Sequence, residues 1–483
     1  MNKSVIGIHA GHNSSVALVE NGSLVSAIQE ERLTRLKNQG GLPKRGLCEI
    51  LKTCKKVSVN NHNIHFAYGC ESMVRSFWER DKLIKAYGVT SPNTFSRVKG
   101  FIRKNKVLSK TIDEKRATEM ESEIKSLLDL SFVKVKRLDH HLCHASSAYF
   151  GCGKMNEKIL IMTCDGSGDG ICASVNIGYK GEIDRIADVD QTHSIGRLYA
   201  NATYLLGMVP LEHEYKIMGL APYAERSKES ISIANKLETL FIFDHKKPLV
   251  WTRNSCPPMQ YATKSLGKLF RLMRFDHIAS GVQILIERFL VRWIRNCIFE
   301  TGIKKVALSG GVFMNVKANQ KILEIPELDE LFVFPSCGDE TNSIGSGYFL
   351  YNQIFQESPY PLSHVYLGCA FSNDQVESAL TNYNFQNQVN IKQFQNIEKK
   401  VAELLARGEI VARLKDRTEF GARALGNRSI LANPSDLKTV RVINEMIKNR
   451  DFWMPFAPSV LAERSNDYFV KTKNMKAPYM IIT

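Results

Sequence analysis

The chain predicts an α/β fold built from two related halves with a cleft between them, followed by a smaller segment. Three observations carry this expectation. From Val5 the sequence VIGIHAGHNSSVALVENGSLVSAIQEE reads as strand, small-polar turn, strand, Asn-Gly turn and strand. From Lys158 the same grammar returns in KILIMTCDGSGDGICASVNIGYKGEIDRIADVD, with Lys180 and Gly181 at its second turn. And 483 residues exceed what one hydrophobic core usually supports, so two or three units are expected.

In the first copy the Asn21-Gly22 pair is a strong hairpin signal. The first turn of each copy, AGHNSS and DGSGDG, is rich in Gly and Ser, so backbone amides there can approach phosphate oxygens closely. A tight turn without a ligand is the alternative for either loop, but two such loops in matching positions favour a nucleotide. Between the copies, LDHHLCHASSAYF (138–150) places His140 and His144 four residues apart at helical spacing. One turn of helix then aims both imidazoles at one point, as a divalent metal requires. The competing role for such a pair is to line a helix surface or satisfy buried hydrogen bonds.

After the second copy, KKVALSGG reads as a strand and VFMNVKANQKIL as a helix, which puts Ser309, Gly310 and Gly311 at a strand-to-helix turn. Such a turn holds a nucleotide at a helix amino terminus, with a plain Gly-rich turn as the competitor. In LFVFPSCGDETNSIGSGYF a strand ends at Pro335 and Asp339 follows in a Gly-flanked loop. A helix cap is the common use of such an aspartate. With Asp165, expected at the end of its own strand, it also completes a set of two imidazoles and two carboxylates suited to iron, zinc or manganese. Pro and Ser then interrupt the helical pattern in ESPYPLSHVYLGCAFS. The expected division is 1–353, with halves of about 1–150 and 155–353, a linker at 354–366, and a small domain at 367–483. In the last of these, Arg417, Arg423 and Arg428 crowd DRTEFGARALGNRS, with Lys448 and Arg450 close behind. Guanidinium pairs suit phosphate, and a structural ion-pair cluster is the rival.

The net charge of +16, from 65 basic and 49 acidic residues, favours anionic ligands. Much of the excess lies between Arg75 and Lys125, where FSRVKGFIRKNKVLSK reads as a solvated helical insertion, with nucleic acid or an anionic membrane surface as the lesser alternative. No nucleic-acid partner is expected. Eleven cysteines without a repeated CxxC frame suit a reducing compartment. The amino-terminal sequence has no apolar signal core and no run approaches the length of a membrane span, so a soluble, cytoplasmic protein is expected.

Taken together, these segments resemble the O-carbamoyltransferases of the NodU/CmcH type. The carriers are GHNSSVALVENGSLVSAIQEERLTR, DHHLCHASSAYF, CDGSGDG, EYKIMGLAPY, LSGGVFMNVKANQKI, CGDETNSIGSG, EFGARALGNRSILANP and IKNRDFWMPFAPSVL, long and co-linear over nearly the whole chain. The resemblance implies a large domain of the actin-like ATPase (ASKHA) class joined to a smaller YrdC-like α/β domain. It implies that carbamoyl phosphate and ATP yield carbamoyl adenylate in the small domain, and that the large domain passes the carbamoyl group to a hydroxyl of a sugar or natural product. It implies iron (Fe2+), or another divalent metal, on His140, His144, Asp165 and Asp339. Gly166, Ser167, Gly168, Gly310, Gly311 and Asn315 fall where the family surrounds its nucleotide. His12 is the candidate base, with a capping or phosphate-contacting role as the alternative. Lys37 and Lys216 are candidates to neutralise phosphate, or else exposed lysines, and Arg417, Arg423, Arg428, Lys448 and Arg450 are assigned to the activation site.

The chain also departs from the pattern. Ala422 stands where the family commonly has proline, and Met454 where it commonly has arginine. The sequence stops inside KAPYMIIT, which reads as a strand, before a His-x-Asp-Gly-Thr-type loop and an Asn-Thr-Ser-Phe-Asn-type motif that the family usually carries. The small domain is therefore expected to be incomplete, and a partner chain is one way to supply the rest. A sugar kinase of the same actin-like class, or a nucleotide- and metal-binding subunit without catalysis, are the competing functions.

Overall fold

Three apolar stretches open the chain and pair in sequence order: β1 (Ser4–His9), β2 (Ser15–Glu20) and β3 (Ser23–Gln29), each antiparallel to the next. In the computed structural model, which describes residues 3–55, 64–72, 80–89, 91, 106–385, 388–470 and 472–483, every residue of β1 and β2 is buried. That explains why they read as continuous apolar runs rather than as alternating ones. β4 (Ile64–Tyr68) lies parallel to β1, and β5 (Val135–Arg137) parallel to β4, giving the order β3-β2-β1-β4-β5.

The second copy repeats this arrangement. β6 (Ile159–Gly168), β7 (Ile171–Tyr179) and β8 (Glu182–Asp190) are antiparallel neighbours. β11 (Lys305–Ser309) lies parallel to β6, and β12 (Glu330–Val333) parallel to β11. The order β8-β7-β6-β11-β12 therefore matches the first sheet strand for strand, and both sheets are mixed. Even the second turns agree: Asn21 and Gly22 have φ of 49° and 82°, Lys180 and Gly181 of 51° and 83°. Positive φ at both central residues is the hairpin geometry whose twist suits the flanking strands. β9 (Phe241–Phe243) and β10 (Trp251–Arg253) form a separate ribbon whose aromatic rings pack with Phe289 and Trp293.

Two helices fill the space between the sheets. α2 (His140–Cys152) packs on β6 and β11 of the second sheet, whereas α6 (Asn342–Phe355) packs on β1, β2 and β4 of the first, and the two helices lie against each other. Glycines permit these approaches. A Cβ at Gly345 would collide with the Cys143 carbonyl, and one at Gly7 with the Ser343 carbonyl. The other helices used below are α1 (Lys106–Leu128), α3 (Glu214–Leu220), α4 (Phe275–Thr301) and α5 (Val316–Leu323). The FSRVKGFIRKN part of the basic segment lies outside the described residues; of the rest, a short helix (Arg80–Tyr87) and α1 are described, and α1 is largely solvated.

The chain divides into one compact unit of Met1–Ser363 with Val470–Thr483 and a second of His364–Phe469. The terminal KAPYMIIT, expected as a strand, is irregular with a turn. Its backbone is satisfied otherwise: the Ile481 carbonyl accepts from Asn319 Nδ2 of α5 at 2.9 Å, and Ile481 itself is buried. The second unit contains α7 (Asn373–Asn382), α8 (Ile397–Ala406) and the antiparallel pair β13 (Val411–Leu414) and β14 (Arg428–Leu431). Among its described residues, the buried apolar side chains are Val365, Leu367, Phe420, Ile443 and Met454. No described helix is long and apolar enough to cross a membrane, and no described cysteine forms a disulfide.

Candidate metal centre

Asp139 fixes the start of α2 by accepting from the Leu142 amide at 2.7 Å. His140 is then the first helical residue and His144 lies one turn on, so both rings face the same way. Asp165 comes to meet them from within β6. Its expected place was the end of a strand, but β6 continues to Gly168 and Asp165 lies where the ladder with β7 is interrupted, between Cys164 and Gly168. Such an irregularity turns a side chain that regular pairing would commit to one face. Asp339 arrives at the first position of a short 3-10 turn, Asp339–Thr341, whose cap position is taken by Gly338.

The four donors converge. His140 Nε2 lies 3.5 Å from Asp165 Oδ2 and 3.5 Å from Asp339 Oδ1; His144 Nε2 lies 3.3 Å and 3.6 Å from the same two oxygens. All four ligand atoms fall within 4.8 Å of one another. A tetrahedral shell with arms of about 2.1 Å has edges of about 3.4 Å, so the four imidazole–carboxylate separations match those of a metal-sized centre. The site is also dry: His140, His144 and Asp339 are 3%, 0% and 7% exposed. His144 Nδ1 rests 3.3 Å from Ser309 Oγ, an outer contact that orients the ring.

Electrostatics agree with a site that lacks a positive charge of its own. Burial, and then the neighbouring Asp165 charge, push the Asp339 carboxyl well above its ordinary range. Burial acts on Asp165 in the same sense, but hydrogen bonds from His140 and His144 outweigh it and hold this carboxyl well below the usual range. Two carboxylates this close cannot both ionise in a dry site unless a cation offsets them.

The first half contributes a rim. His12 Nε2 lies 3.1 Å from Asp339 Oδ2, and burial lowers its pKa to about 4. His9, which the sequence reading passed over, contacts the His12 carbonyl through Nε2 at 3.2 Å and fixes the loop that carries His12. The repeated imidazole in HAGH was the available signal. Asp169 was also missed. It accepts from the amides of His140 (2.8 Å), Glu71 (2.9 Å) and Ser72 (2.9 Å), tying the turn after β6 to the loop after β4 and the start of α2. Asn342, a third omission, lies against both imidazoles.

The glycines expected around a nucleotide gather about Asp165. The Gly166 amide donates to Asp165 Oδ1 at 2.6 Å, a Cβ on Gly311 would sit 2.9 Å from the same oxygen, and one on Gly168 would collide with the His140 ring. Gly310 takes φ 109° against the Cys164 backbone. Ser167 is exposed. Asn315 caps α5 through the Ala318 amide (3.0 Å) and exchanges two hydrogen bonds with Gln283 of α4 (2.8 and 3.0 Å), so its side chain is occupied within the fold. Lys216 is half-buried on α3, and Lys37 is exposed beside Tyr215 and 3.9 Å from Glu212.

In the second unit Arg417 donates to the carbonyls of Gly368 (3.0 Å) and Leu367 (2.5 Å), and Arg428 lies 3.5 Å from the buried Glu419 carboxylate. Glu419 also accepts the amides of Leu425, Asn427 and Arg428 at 2.8, 2.9 and 3.0 Å, so the loop that carries Arg423 is folded around one internal anion. Arg450 bonds Asn444 and stacks on Phe456, while Lys448 is exposed and Met454 buried.

The family model described as the carbamoyltransferase N-terminus matches residues 4–348, and that of the carbamoyltransferase C-terminus residues 402–483. The uncharacterized protein sll1178 of Synechocystis sp. is 29% identical over 497 residues, spanning 99% of this chain and 78% of that one. The nodulation protein NolNO of Sinorhizobium fredii is 29% identical over 474 residues, spanning 97% of this chain and 65% of that one. The chain thus falls short of these relatives' full length. Among solved structures, full-length HypF in its phosphate- and nucleotide-bound form aligns at 13% identity and a TM-score of 0.42, over 74% of this chain and 47% of that one.

Proposed function

We propose, from the premise that this chain belongs to the carbamoyltransferase family, that it transfers a carbamoyl group from carbamoyl phosphate, activated by ATP, to a hydroxyl of a small molecule of the sugar or natural-product type. The observation that carries this reading is the convergence of His140, His144, Asp165 and Asp339 in a buried centre with His12 on its rim. The large unit is read as actin-like (ASKHA), a reading supported by two five-stranded sheets of identical order and direction.

Nitrogen donates into the carbamoyl carbonyl and makes it a sluggish electrophile, so an adenylate leaving group is a sensible activator. In this reading His140, His144, Asp165 and Asp339 hold a divalent metal, iron by family resemblance. Once bound, it supplies Lewis acidity toward an oxygen of the transferring group. His12 is neutral near pH 7 because burial depresses its pKa to about 4, so a ring nitrogen is free of charge and able to receive the acceptor's proton. Gly166, Gly168, Gly310 and Gly311 keep the floor around Asp165 clear of side chains, which leaves backbone amides for phosphate oxygens. The second unit's Arg417, Arg423, Arg428, Lys448 and Arg450 are assigned to adenylate formation.

Purified full-length chain with Fe2+ and ATP should release pyrophosphate on addition of carbamoyl phosphate. Absence of pyrophosphate would exclude activation by this chain alone. Supplying preformed carbamoyl adenylate with a panel of sugar acceptors then isolates the transfer step, and an absence of any carbamoylated product would remove the transferase reading from the first unit.

A further inference from the structure

The helix Ile195–Leu205 begins at the candidate centre. Its capping residue, Ser194, is completely buried, and its hydroxyl faces both ways: Oγ donates to the Asp165 carbonyl at 3.2 Å and accepts from the Arg197 amide at 2.9 Å. Gly196 lets this first turn close on β6, since a Cβ there would sit 2.9 Å from the Asp165 carbonyl and 2.9 Å from Val312. Arg197 therefore stands one hydroxyl away from the backbone of a donor of the centre. A long side chain on a helix leans toward the amino-terminal end, which here is the end at Asp165.

For a cation that placement is unfavourable. The amino end of a helix carries partial positive charge, and no acidic residue lies in this first turn to offset it. Arg197 is half-buried and makes no ion pair among the described residues. Its partner is neutral: Nη1 donates to Tyr87 Oη at 3.0 Å, and the guanidinium carbon lies 4.2 Å from the centre of the Tyr87 ring. Nε is enclosed without an acceptor, and Nη2 is neither bonded nor enclosed. The Tyr87 hydroxyl accepts from Arg197 and has no acceptor for its own proton among the described residues. Burial pushes that hydroxyl up to about 12 against the Arg197 charge, and the Glu214 and Asp165 charges add to the rise, so it stays a proton donor. A clamp on Tyr87 does not account for the charge. Tyr87 is already held by Thr263, whose Oγ1 donates to its carbonyl at 2.8 Å, and by the stacked Tyr204 ring at 6.2 Å. A half-buried guanidinium with donors left over is suited to an anion.

We propose that Arg197, with the Tyr87 hydroxyl, binds a phosphate group beside the candidate metal centre. Such a site rests on the reading above, in which phosphate-bearing substrates enter the first unit, and it adds a cation to the backbone amides of the Gly-rich floor. The phosphate has two sources, the nucleotide and a phosphorylated sugar acceptor. Both present the same oxygens to the guanidinium fork.

Hydrogen exchange of the segment 194–205 in the full chain, titrated with one ligand at a time, reads this site and not the second unit. AMP against adenosine tests the nucleotide source, and glucose 6-phosphate against glucose tests the acceptor source. The phosphorylated member of one pair is expected to protect the segment at lower concentration than its partner, and that pair names the source. Arg197→Gln should raise the concentration needed of that phosphorylated ligand by about 10–100-fold and leave its unphosphorylated partner unchanged. Tyr87→Phe, which keeps the ring and removes one donor, should raise it by about 2–10-fold. Equal losses for both members of the pair would make Arg197 a structural clamp and overturn the proposal, as would no loss, or a wild type without preference for the phosphorylated ligands. If circular dichroism shows that Arg197→Gln does not fold, Arg197→Lys takes its place. An ammonium cannot form the fork, so a loss of about 3–10-fold confined to the phosphorylated ligand is expected, and an unchanged preference would overturn the proposal. Absence of carbamoyl transfer with Arg197-dependent protection intact would remove the transferase step and not the phosphate site.

Discussion

The two units place their chemistry on opposite kinds of support. In the first, every donor of the candidate centre hangs from a strand or helix end that is itself buried between two sheets, and the imidazoles and Asp339 are almost fully withdrawn from water. In the second, α7 and α8 bury no residue, and the arginines hold carbonyls, an asparagine and one internal glutamate on half-exposed loops. Desolvation sharpens charge interactions and shifts pKa values, so the first unit can tune a centre. The second unit's Arg417, Arg423, Arg428 and Arg450 are half-buried, where water still screens their charge.

The sharpest break of this comparison is removal of the donors themselves. His140→Ala with His144→Ala should reduce tightly bound metal from stoichiometric to background, read by elemental analysis of the full chain. Arg417→Ala with Arg428→Ala should leave metal content untouched. Metal loss in the arginine variant would mean that the two sites are not separable in the way their supports suggest.

Next in size is Glu419, the one buried anion among the second unit's described residues. Glu419→Ala strips the acceptor from three backbone amides and leaves Arg428 without its carboxylate, which should cost about 3 kcal/mol or more within that unit. Hydrogen exchange should rise at 425–428 and not in β1, β2 or β6. A global rise would show that the loop is part of the first unit's cooperative core.

How much of this was legible in the sequence follows the same division. Strands buried on both faces announce themselves as apolar runs, and Asn-Gly or Lys-Gly at a fixed offset marks the turns, so the duplication could be read directly. His140 and His144 were readable because the helix period puts them on one face. Asp165 meets the histidines from within β6 and not from the expected strand end, since a ladder irregularity has no composition signal. His9, Asp169 and Asn342 were overlooked because their roles depend on partners far away in sequence: Asp169 meets Glu71 and His140, and Asn342 meets His140 and His144. The terminal strand failed for a related reason, since no period in KAPYMIIT reveals that Asn319 will take its carbonyl.

One glutamate in each unit titrates with the opposite sign to the other. Burial pushes Glu214 of α3 up to about 7. Because its folded pKa is raised above the ordinary value near 4.5, its contribution to the first unit is fully present below that value and is lost as pH rises through about 7. The loss is on the order of 3 kcal/mol. Glu419 runs the other way: burial would raise it, but backbone amides outweigh this and lower its pKa, so its contribution is present above the ordinary value and lost as pH falls through its lowered one. Urea midpoints followed by exchange within each unit should therefore fall with rising pH between about 4.5 and 7 for the first unit. The second unit's midpoint should fall only under acid. Glu214→Gln should flatten the first trend and leave the second alone.

The smallest expected effect compares the same device in the two settings. Asn315 caps α5, whose Ala318, Asn319, Ile322 and Leu323 are buried, whereas Ser372 caps α7 through a complete capping box on a helix that buries nothing. Removing either cap costs its helix about 1 kcal/mol. What differs is who bears that cost. α5 can open only with the sheet it packs on, so Asn315→Ala should lower the first unit's global stability by roughly that amount, with some addition from the two Gln283 bonds it also breaks. α7 can fray with little coupled to it, so Ser372→Ala should raise exchange across 373–382 and leave the thermal midpoint of the chain unchanged. A shift of the midpoint in the Ser372 variant as large as in the Asn315 variant would mean that α7 is held by contacts that its exposure does not reveal, and that the second unit folds as cooperatively as the first.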